Sequence, residues 1–347
     1  MQSKASNSVM TRARAKYGCR LSKADFESLA GLTRLHDTAS FLRTRTHYAP
    51  YFESLANAPE LSRLLLESTL KKAFFDEAQK LCGFEKSVGN SIFRYYLLSR
   101  ETELIFDYIM NLSRGTPEKS LLRTPPAETG GTKIDFAKLF QITEIRELLK
   151  YLSKTKYAKL IAVLPKTDGG SFDLALIEAT LERIKYDILF ADIKKNMPSE
   201  TATLLCYNLR MRIELTDFNM IYRAKKYYSL PESTIRANMI GYRCLLSQKA
   251  VDSIISAPDA REAMEIFKKS RYSSRAASLG TEDFELFCEK AVLDSAIRQI
   301  HFSSDPAIVL AAYLQIMQNE CDNIIKIIEG IVYKVPKDEI LSNLIII

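Results

Sequence analysis

Apolar residues recur along most of this chain at steps of three and four, which is the spacing of one face of an α-helix. Residues 313–331 give the clearest example. One face of that stretch carries apolar side chains and a single acid: Tyr313, Met317, Glu320, Ile324, Ile327 and Ile331. Strand-like alternation of apolar and polar residues is scarce. The pattern therefore predicts an all-α protein, with a long amphipathic helix over 307–333.

A tyrosine followed seven residues later by a glutamate occurs three times at a regular interval. The pairs are Tyr96 with Glu103, Tyr207 with Glu214, and Tyr313 with Glu320. Successive pairs lie 111 and 106 residues apart, an interval much longer than that of a solenoid repeat. We interpret the chain as a triplication of one helical unit, in which each pair marks the long helix of its unit.

A second landmark recurs in the same order. Each unit has an early helix whose end carries a hydroxyl residue, a basic residue and a tyrosine: Thr46-His47-Tyr48, Thr155-Lys156-Tyr157 and Ser270-Arg271-Tyr272. The first two of these helices are predicted to run over 35–48 and 144–157, through to the tyrosine. Ser22 is predicted to cap the helix that precedes the first of them.

Breaks in the helical pattern separate the three units. The loop 114–133 holds three glycines and three prolines, and Pro231 marks the second break. The sequence thus predicts three similar helical-bundle domains, over 1–123, 124–231 and 232–347. Three similar domains suggest approximate threefold symmetry, with the domains closed into a ring or funnel. A linear row of three domains fits the sequence equally well.

Glu214 and Glu320 are the best candidates for chemistry, because each lies on an apolar helix face. Burial raises the pKa of a carboxyl group, and such a group can act as a general acid. Catalysis also needs a second group and a cleft, and the sequence offers neither. A structural carboxylate that accepts hydrogen bonds from arginine, tyrosine or helix-end amides is therefore favoured. The copy at Glu103 lies at the edge of its apolar face.

The residue types that bind metals and phosphates are not arranged in any known motif. The three histidines and six scattered cysteines lack metal-site spacing, and no glycine-rich phosphate motif is present. We expect no catalytic residue, no metal and no cofactor. Because no apolar run approaches the roughly 20 residues that span a bilayer, and no signal peptide is evident, a soluble cytoplasmic protein is expected.

The net charge of +7 is too small and too dispersed to indicate nucleic-acid binding by itself. A basic and aromatic segment, Arg223-Ala224-Lys225-Lys226-Tyr227-Tyr228, ends the second long helix. Its basic residues complement the helix dipole, which is the favoured interpretation. A protein-binding surface is the second interpretation, and a nucleic-acid surface is the third. Arg223, Lys225, Lys226 and Arg114 are the candidate docking residues.

Several segments, taken in order, resemble a known family. They are Asp305-Pro306-Ala307-Ile308-Val309-Leu310-Ala311-Ala312-Tyr313, then 320–330, then Pro336-Lys337-Asp338-Glu339-Ile340, and in the second unit 217–225. Together with the tyrosine endings, they resemble the C-type subunits of V-type and A-type ATPases, whose eukaryotic V-ATPase equivalents are the d-type subunits. The resemblance extends over about residues 7–345. The chain departs from the family pattern at Glu329-Gly330-Ile331, where the family often carries Arg-Gly-Lys, and at Ser113-Arg114-Gly115 in the first unit.

The resemblance implies a non-catalytic central-rotor subunit of a rotary ATPase. Such a subunit is an all-helical funnel of three similar domains, present as one copy in a hetero-oligomeric complex. It lies peripherally on the cytoplasmic face of the membrane, where it joins the proteolipid ring to the central stalk and serves ATP-linked proton or sodium transport. The alternatives are an unrelated helical interaction scaffold, and an enzyme whose acid is Glu214 or Glu320.

Overall fold

The computed structural model describes residues 4–55, 61–117, 134–167, 169–273 and 284–347. All regular secondary structure within these ranges is helical, which confirms the all-α prediction. The α-helices are α1 (Lys4–Tyr17), α2 (Lys23–Ala30), α3 (Leu35–Arg45), α4 (Ala49–Phe52), α5 (Arg63–Gly83), α6 (Lys86–Ser113), α7 (Phe136–Leu139), α8 (Ile145–Leu152), α9 (Leu174–Asn196), α10 (Ser199–Arg223), α11 (Glu232–Asn238), α12 (Gln248–Ser256), α13 (Ala260–Lys268), α14 (Phe284–Phe302), α15 (Pro306–Tyr333) and α16 (Lys337–Ser342). Short 3-10 segments span Glu53–Leu55 and Ala158–Ala162, and a π-helical turn spans Ala224–Tyr228.

The helices group into two compact units. The first contains Met1–Phe93 and Glu285–Ile347, and the second contains Arg94–Phe284. This grouping places the last long helix, α15, with the first helices of the chain. The three repeat domains over 1–123, 124–231 and 232–347 stay a prediction, and most of the loop 114–133 that separates the first two lies outside the described residues.

Side-chain caps define where several helices begin. Ser22 accepts a hydrogen bond from the Asp25 amide while the Asp25 side chain accepts from the Ser22 amide, so the predicted cap is confirmed as a complete capping box. Asp305 caps α15 through the amides of Ala307 and Ile308, and Pro306 follows at the first helical position, where its missing N–H costs nothing.

Helix α15 is the centre of the first unit. It packs against α1, α2, α3, α5 and α16. The consecutive residues Ile308, Val309 and Leu310 point in different directions from the helix axis, yet all three are buried. The helix is therefore enclosed on more sides than the single apolar face that its spacing indicates. A helix that is apolar nearly all round is typical of the centre of a helical domain.

The second unit has its own apolar core around the second half of α6. Ile105 and Tyr108 pack there with Leu148 of α8 and with Leu160 and Ile177. The Tyr108 hydroxyl donates to the Ile142 carbonyl oxygen at 2.5 Å, so this buried polar group is satisfied. Within the described ranges, no helix has both the length and the low polarity needed to cross a bilayer.

Gly330 lets α16 lie directly against α15. A Cβ atom at Gly330 would stand 2.5 Å from Ile340 Cδ1 and 2.6 Å from Ile340 Cγ1. We expect Gly330→Ala to lower the free energy of unfolding by about 1 kcal/mol, because the end of the Ile340 side chain must move. Urea denaturation measures this. Ile340→Val removes the nearer carbon, so the double variant should lose less than the sum of the two single changes; simple additivity contradicts the contact.

Candidate functional site

Three buried glutamates each accept a hydrogen bond from a tyrosine hydroxyl that lies far away in the chain. The pairs are Tyr48 with Glu320 at 2.9 Å, Tyr157 with Glu101 at 2.7 Å, and Tyr272 with Glu214 at 2.8 Å. The side chains of all three tyrosines are fully buried. We call these three sites the carboxylate–tyrosine clusters. Each cluster lies inside one compact unit, the first in unit one and the other two in unit two.

The same local turn presents each tyrosine. The side-chain oxygens of Thr46, Thr155 and Ser270 each accept the backbone N–H of the tyrosine two residues later, at 3.1–3.2 Å. This hydroxyl-to-backbone bond competes with helical hydrogen bonding. Helices α3 and α8 end at Arg45 and Leu152, before the turns that carry these bonds. The prediction that they run through to the tyrosines was therefore wrong.

Glu214 is the most fully hydrogen-bonded of the three acids. Its Oε1 accepts from the amides of Cys244 and Leu246, at 2.8 and 2.9 Å. Its Oε2 accepts from the amide of Leu245 and from the Tyr272 hydroxyl, both at 2.8 Å. A carboxylate offers about four lone-pair sites, and here four donors occupy them. Glu214 thus fastens the chain just before α12 and the turn after α13 onto the long helix α10.

Glu320 has a similar arrangement in the first unit. Its Oε2 accepts the Leu21 amide at 2.7 Å, and its Oε1 lies 3.3 Å from His47 Nε2. Leu21 directly precedes the cap residue Ser22 of α2. Burial raises the pKa of Glu320, while His47, the Leu21 amide and the Tyr48 hydroxyl oppose the rise. Burial also raises the pKa of Tyr48 well above its ordinary value, so the hydroxyl keeps its proton and donates it to the carboxylate.

The buried acid of the first long helix is Glu101. It accepts from Tyr157 and pairs with the Lys156 ammonium group. Glu103, which the seven-residue spacing marks, has a side chain that is 46% exposed and pairs with Arg100 at 2.9 Å. Glu101 shares a helix face with Leu98, Ile105 and Tyr108, all of them buried. This buried face is the signal in the sequence that identifies Glu101, whereas the seven-residue spacing from Tyr96 selects Glu103 instead.

The three marker tyrosines occupy different environments. Tyr96 and Tyr313 are buried, whereas Tyr207 is 40% exposed. The Tyr313 hydroxyl lies 3.6 Å from Met317 Sδ on the same helix. The marker tyrosines are therefore not the partners that define the clusters; those partners are the tyrosines of the short turns.

The pairing of acids with tyrosines is cyclic in chain order. Glu101 of α6 accepts its hydrogen bond from Tyr157, which follows α8, and Glu214 of α10 accepts from Tyr272, which follows α13. Glu320 of α15 accepts from Tyr48, which follows α3. Each long helix is thus bound to short helices that belong to the next predicted repeat, and the last long helix is bound to those of the first. The clusters therefore join segments that the predicted domain bounds separate.

The candidate docking residues lie mainly at helix ends. Arg114 follows the end of α6 and is exposed, as are Arg223 and Lys226 at the end of α10. Lys226 lies over the rings of Tyr222 and Tyr227, whereas the Lys225 ammonium group donates to the Ala257 carbonyl oxygen at the end of α12. Tyr227 and Tyr228 are 63% and 65% exposed. The segment presents a basic and aromatic surface, and Lys225 also helps to hold it in place.

The geometry of the clusters suits a structural role, in which hydrogen bonds hold helices to one another. Both oxygens of Glu214 are engaged by donors, and the tyrosine and amide partners are buried or partly buried with it. In the described part of the chain, no group of three or more histidine, cysteine, aspartate or glutamate side chains is placed to hold a metal ion. The arrangement binds helices to one another, and each hydrogen bond to a buried charge contributes more than a surface contact does.

Removal of the tyrosine hydroxyls tests this mechanical role. We expect Tyr48→Phe, Tyr157→Phe and Tyr272→Phe each to lower the free energy of unfolding by about 1.5 kcal/mol, because a buried carboxylate loses one charged hydrogen bond. Denaturant titration of the full chain measures this. Tyr227→Phe is the matched control and should change nothing, since that side chain is exposed. Equal values for the control and the three variants contradict the assignment.

A comparison with models of protein families finds a match. A protein-family model described as "ATP synthase (C/AC39) subunit" matches residues 9–343, which is nearly the whole chain. No curated protein matches it.

Proposed function

The chain belongs to the ATP synthase C/AC39 subunit family, and from that premise we propose that it is the rotor part that couples the membrane proteolipid ring to the central stalk. The family makes it a subunit of a V/A-type ATPase. Its proposed place is the cytoplasmic face of the membrane, as one peripheral copy in the complex. It takes no direct part in chemistry and transmits torque for ATP-linked transport of protons or sodium ions.

The observation that carries the proposal is the family match over residues 9–343. The carboxylate–tyrosine clusters support it physically. A part that transmits torque must keep its long helices from sliding past their neighbours. A buried acid that binds a neighbouring segment through charged hydrogen bonds resists such sliding, because any shift leaves buried polar groups without partners. Each of the three long helices carries one such acid.

The surface at the end of α10 is a proposed contact with another subunit. Exposed aromatic rings and arginines are enriched where proteins bind one another, and Tyr227, Tyr228 and Arg223 lie in this segment beside Lys226. Arg114 at the end of α6 is a second proposed contact. Lys225 is assigned to the support of this surface, because its ammonium group is bonded to the Ala257 carbonyl oxygen.

Affinity purification tests the proposed role. The tagged full chain should co-purify with both the proteolipid ring and the central stalk subunits when all are expressed together, and its removal should abolish ATP-driven ion transport. Lys226→Glu combined with Tyr228→Ser should reduce transport while the free energy of unfolding is kept. Lys249→Glu combined with Thr143→Ala provides a control at exposed positions elsewhere in the second unit. A chain that purifies without ring and stalk contradicts the proposed coupling role.

A further inference from the structure

An open cavity of about 450 Å³ lies in the second unit, where α9 ends and α10 begins. Lys194 near the end of α9, Ser199 at the start of α10 and Arg243 from the segment before α12 are among its lining residues. Its volume is in the range of small-molecule sites. The proposed rotor role makes no use of this cavity.

Positive charge dominates the cavity wall. Lys194, Arg210 and Arg243 all line it, and none of the described lining residues is acidic. Three cations around one cavity repel one another, and the repulsion is strongest where water is scarce. An anion of more than one negative charge would offset it. Lining residues such as Met197 and Ala202 add apolar surface beside the charged groups.

The start of α10 adds a second source of positive potential. Pro198 occupies the capping position and makes no side-chain cap hydrogen bond. The dipole of this long helix favours an anion at its N-terminus. Glu200 lies in the same turn, but it is exposed and is not among the lining residues.

Arg210 provides the independent observation that points to a ligand. Its Nε atom is buried and has no hydrogen-bond partner among the described residues, an arrangement that is unfavourable because the buried donor has lost its hydrogen bond to water. The guanidinium carbon lies 5.6 Å from the centre of the Phe190 ring, which holds the group in place. Cys206 also lines the cavity. Burial raises the pKa of its thiol, and the charges of Arg210 and Lys194 oppose that rise, which means that both charges lie near this thiol.

From the cavity, its three cations, the uncapped helix start and the unpartnered Arg210 Nε, we propose that this site binds a phosphate-bearing anion with more than one negative charge. The planar guanidinium groups of Arg210 and Arg243 match phosphate oxygens in pairs, and Lys194 adds a mobile point charge. The N-terminus of α10 adds the positive end of its helix dipole. We name this site the α9–α10 anion pocket.

Calorimetric titration of the full chain with inorganic pyrophosphate tests the proposal. We expect binding to the wild-type chain, and a loss of about tenfold or more in affinity in Lys194→Gln combined with Arg243→Gln. Both residues are exposed, so the double variant should fold. Lys195→Gln combined with Arg261→Gln removes the same charge from exposed positions outside the pocket and should bind as the wild-type chain does.

Thiol protection locates the bound anion. Cys244 lines the pocket and is partly exposed, whereas Cys19 is exposed in the other unit. Pyrophosphate should slow the alkylation of Cys244 by iodoacetamide and leave that of Cys19 unchanged. The absence of pyrophosphate binding to the wild-type chain overturns the proposal, as does equal binding by the pocket variant and its control, or equal protection of both thiols.

A vesicle experiment then identifies the source of the phosphate. Co-sedimentation with vesicles that contain phosphatidylinositol phosphates, lost in the pocket variant and absent with phosphatidylserine vesicles, assigns the pocket to a lipid headgroup. Pyrophosphate binding without such co-sedimentation assigns it to a soluble phosphate compound. Either result supports the anion pocket, and neither depends on whether the chain joins the proteolipid ring to the central stalk.

Discussion

Replacement of Glu214 by leucine should lower the free energy of unfolding by about 4 kcal/mol. The change removes the shared acceptor of three backbone amides and the Tyr272 hydroxyl. Glu214 is buried, so water cannot replace the carboxylate without opening the structure. Denaturant titration gives the loss. Hydrogen exchange should show the amides of Cys244, Leu245 and Leu246 losing protection first.

Two further variants separate the hydrogen bonds from the change in side-chain type. Glu214→Gln keeps one acceptor oxygen and should cost roughly half as much, because the new amide group must find an acceptor of its own. Glu265→Leu makes the same substitution at an exposed position in α13 and should stay within about 0.5 kcal/mol of the wild-type chain. A loss below about 1 kcal/mol for Glu214→Leu contradicts the role given to this cluster.

The helical class and the main helices could be predicted from the spacing of apolar residues. The Ser22 cap and the long helix over 307–333 follow from local signals, and the structure contains both. The ends of α3 and α8 could not be read from spacing alone, because Tyr48 and Tyr157 lie in turns beyond the helices and are nonetheless buried. In each turn a threonine hydroxyl accepts the backbone N–H of the tyrosine.

The carboxylate–tyrosine clusters were harder to predict from the sequence than the helices. Glu214 and Glu320 could be recognised as acids on apolar faces, but their partners lie 58 and 272 residues away, and no local pattern encodes such a contact. The seven-residue spacing selects Glu103 and so misses Glu101. The choice between the two depends on which side of α6 meets Tyr157, and this is decided by packing rather than by the helix itself.

The cyclic pairing explains why sequence repeats and compact units differ. A repeat is a stretch of similar sequence, whereas a compact unit is a set of residues that pack together. Since Glu320 of the last long helix binds Leu21 and Tyr48, the first and last segments share one unit. The first unit therefore combines residues from both ends of the chain, a feature that similarity along the chain does not reveal.

Lowering the pH from 7 to 5 should stabilise the wild-type chain by about 1 kcal/mol relative to Asp217→Asn. Asp217 on α10 accepts the amides of Ile240 and Gly241 at 2.7 and 2.8 Å. Burial nevertheless raises its pKa from 3.8 to about 6, with the two amides and Arg183 opposing the rise and Glu214 adding to it. Because the folded pKa exceeds the unfolded one, the folded state takes up a proton first as the pH falls.

The sign of this effect distinguishes it from ordinary acid denaturation. The favourable contribution, about 3 kcal/mol in full, is complete below the unfolded pKa and is lost as the pH rises through about 6. Burial raises the pKa of Glu320 too, so that acid acts in the same direction. Denaturant titrations at pH 5, 6 and 7 measure the difference in the free energy of unfolding between the two chains. The exposed Asp294→Asn should run parallel to the wild-type chain; a constant offset between Asp217→Asn and the wild-type chain across this range contradicts the raised pKa.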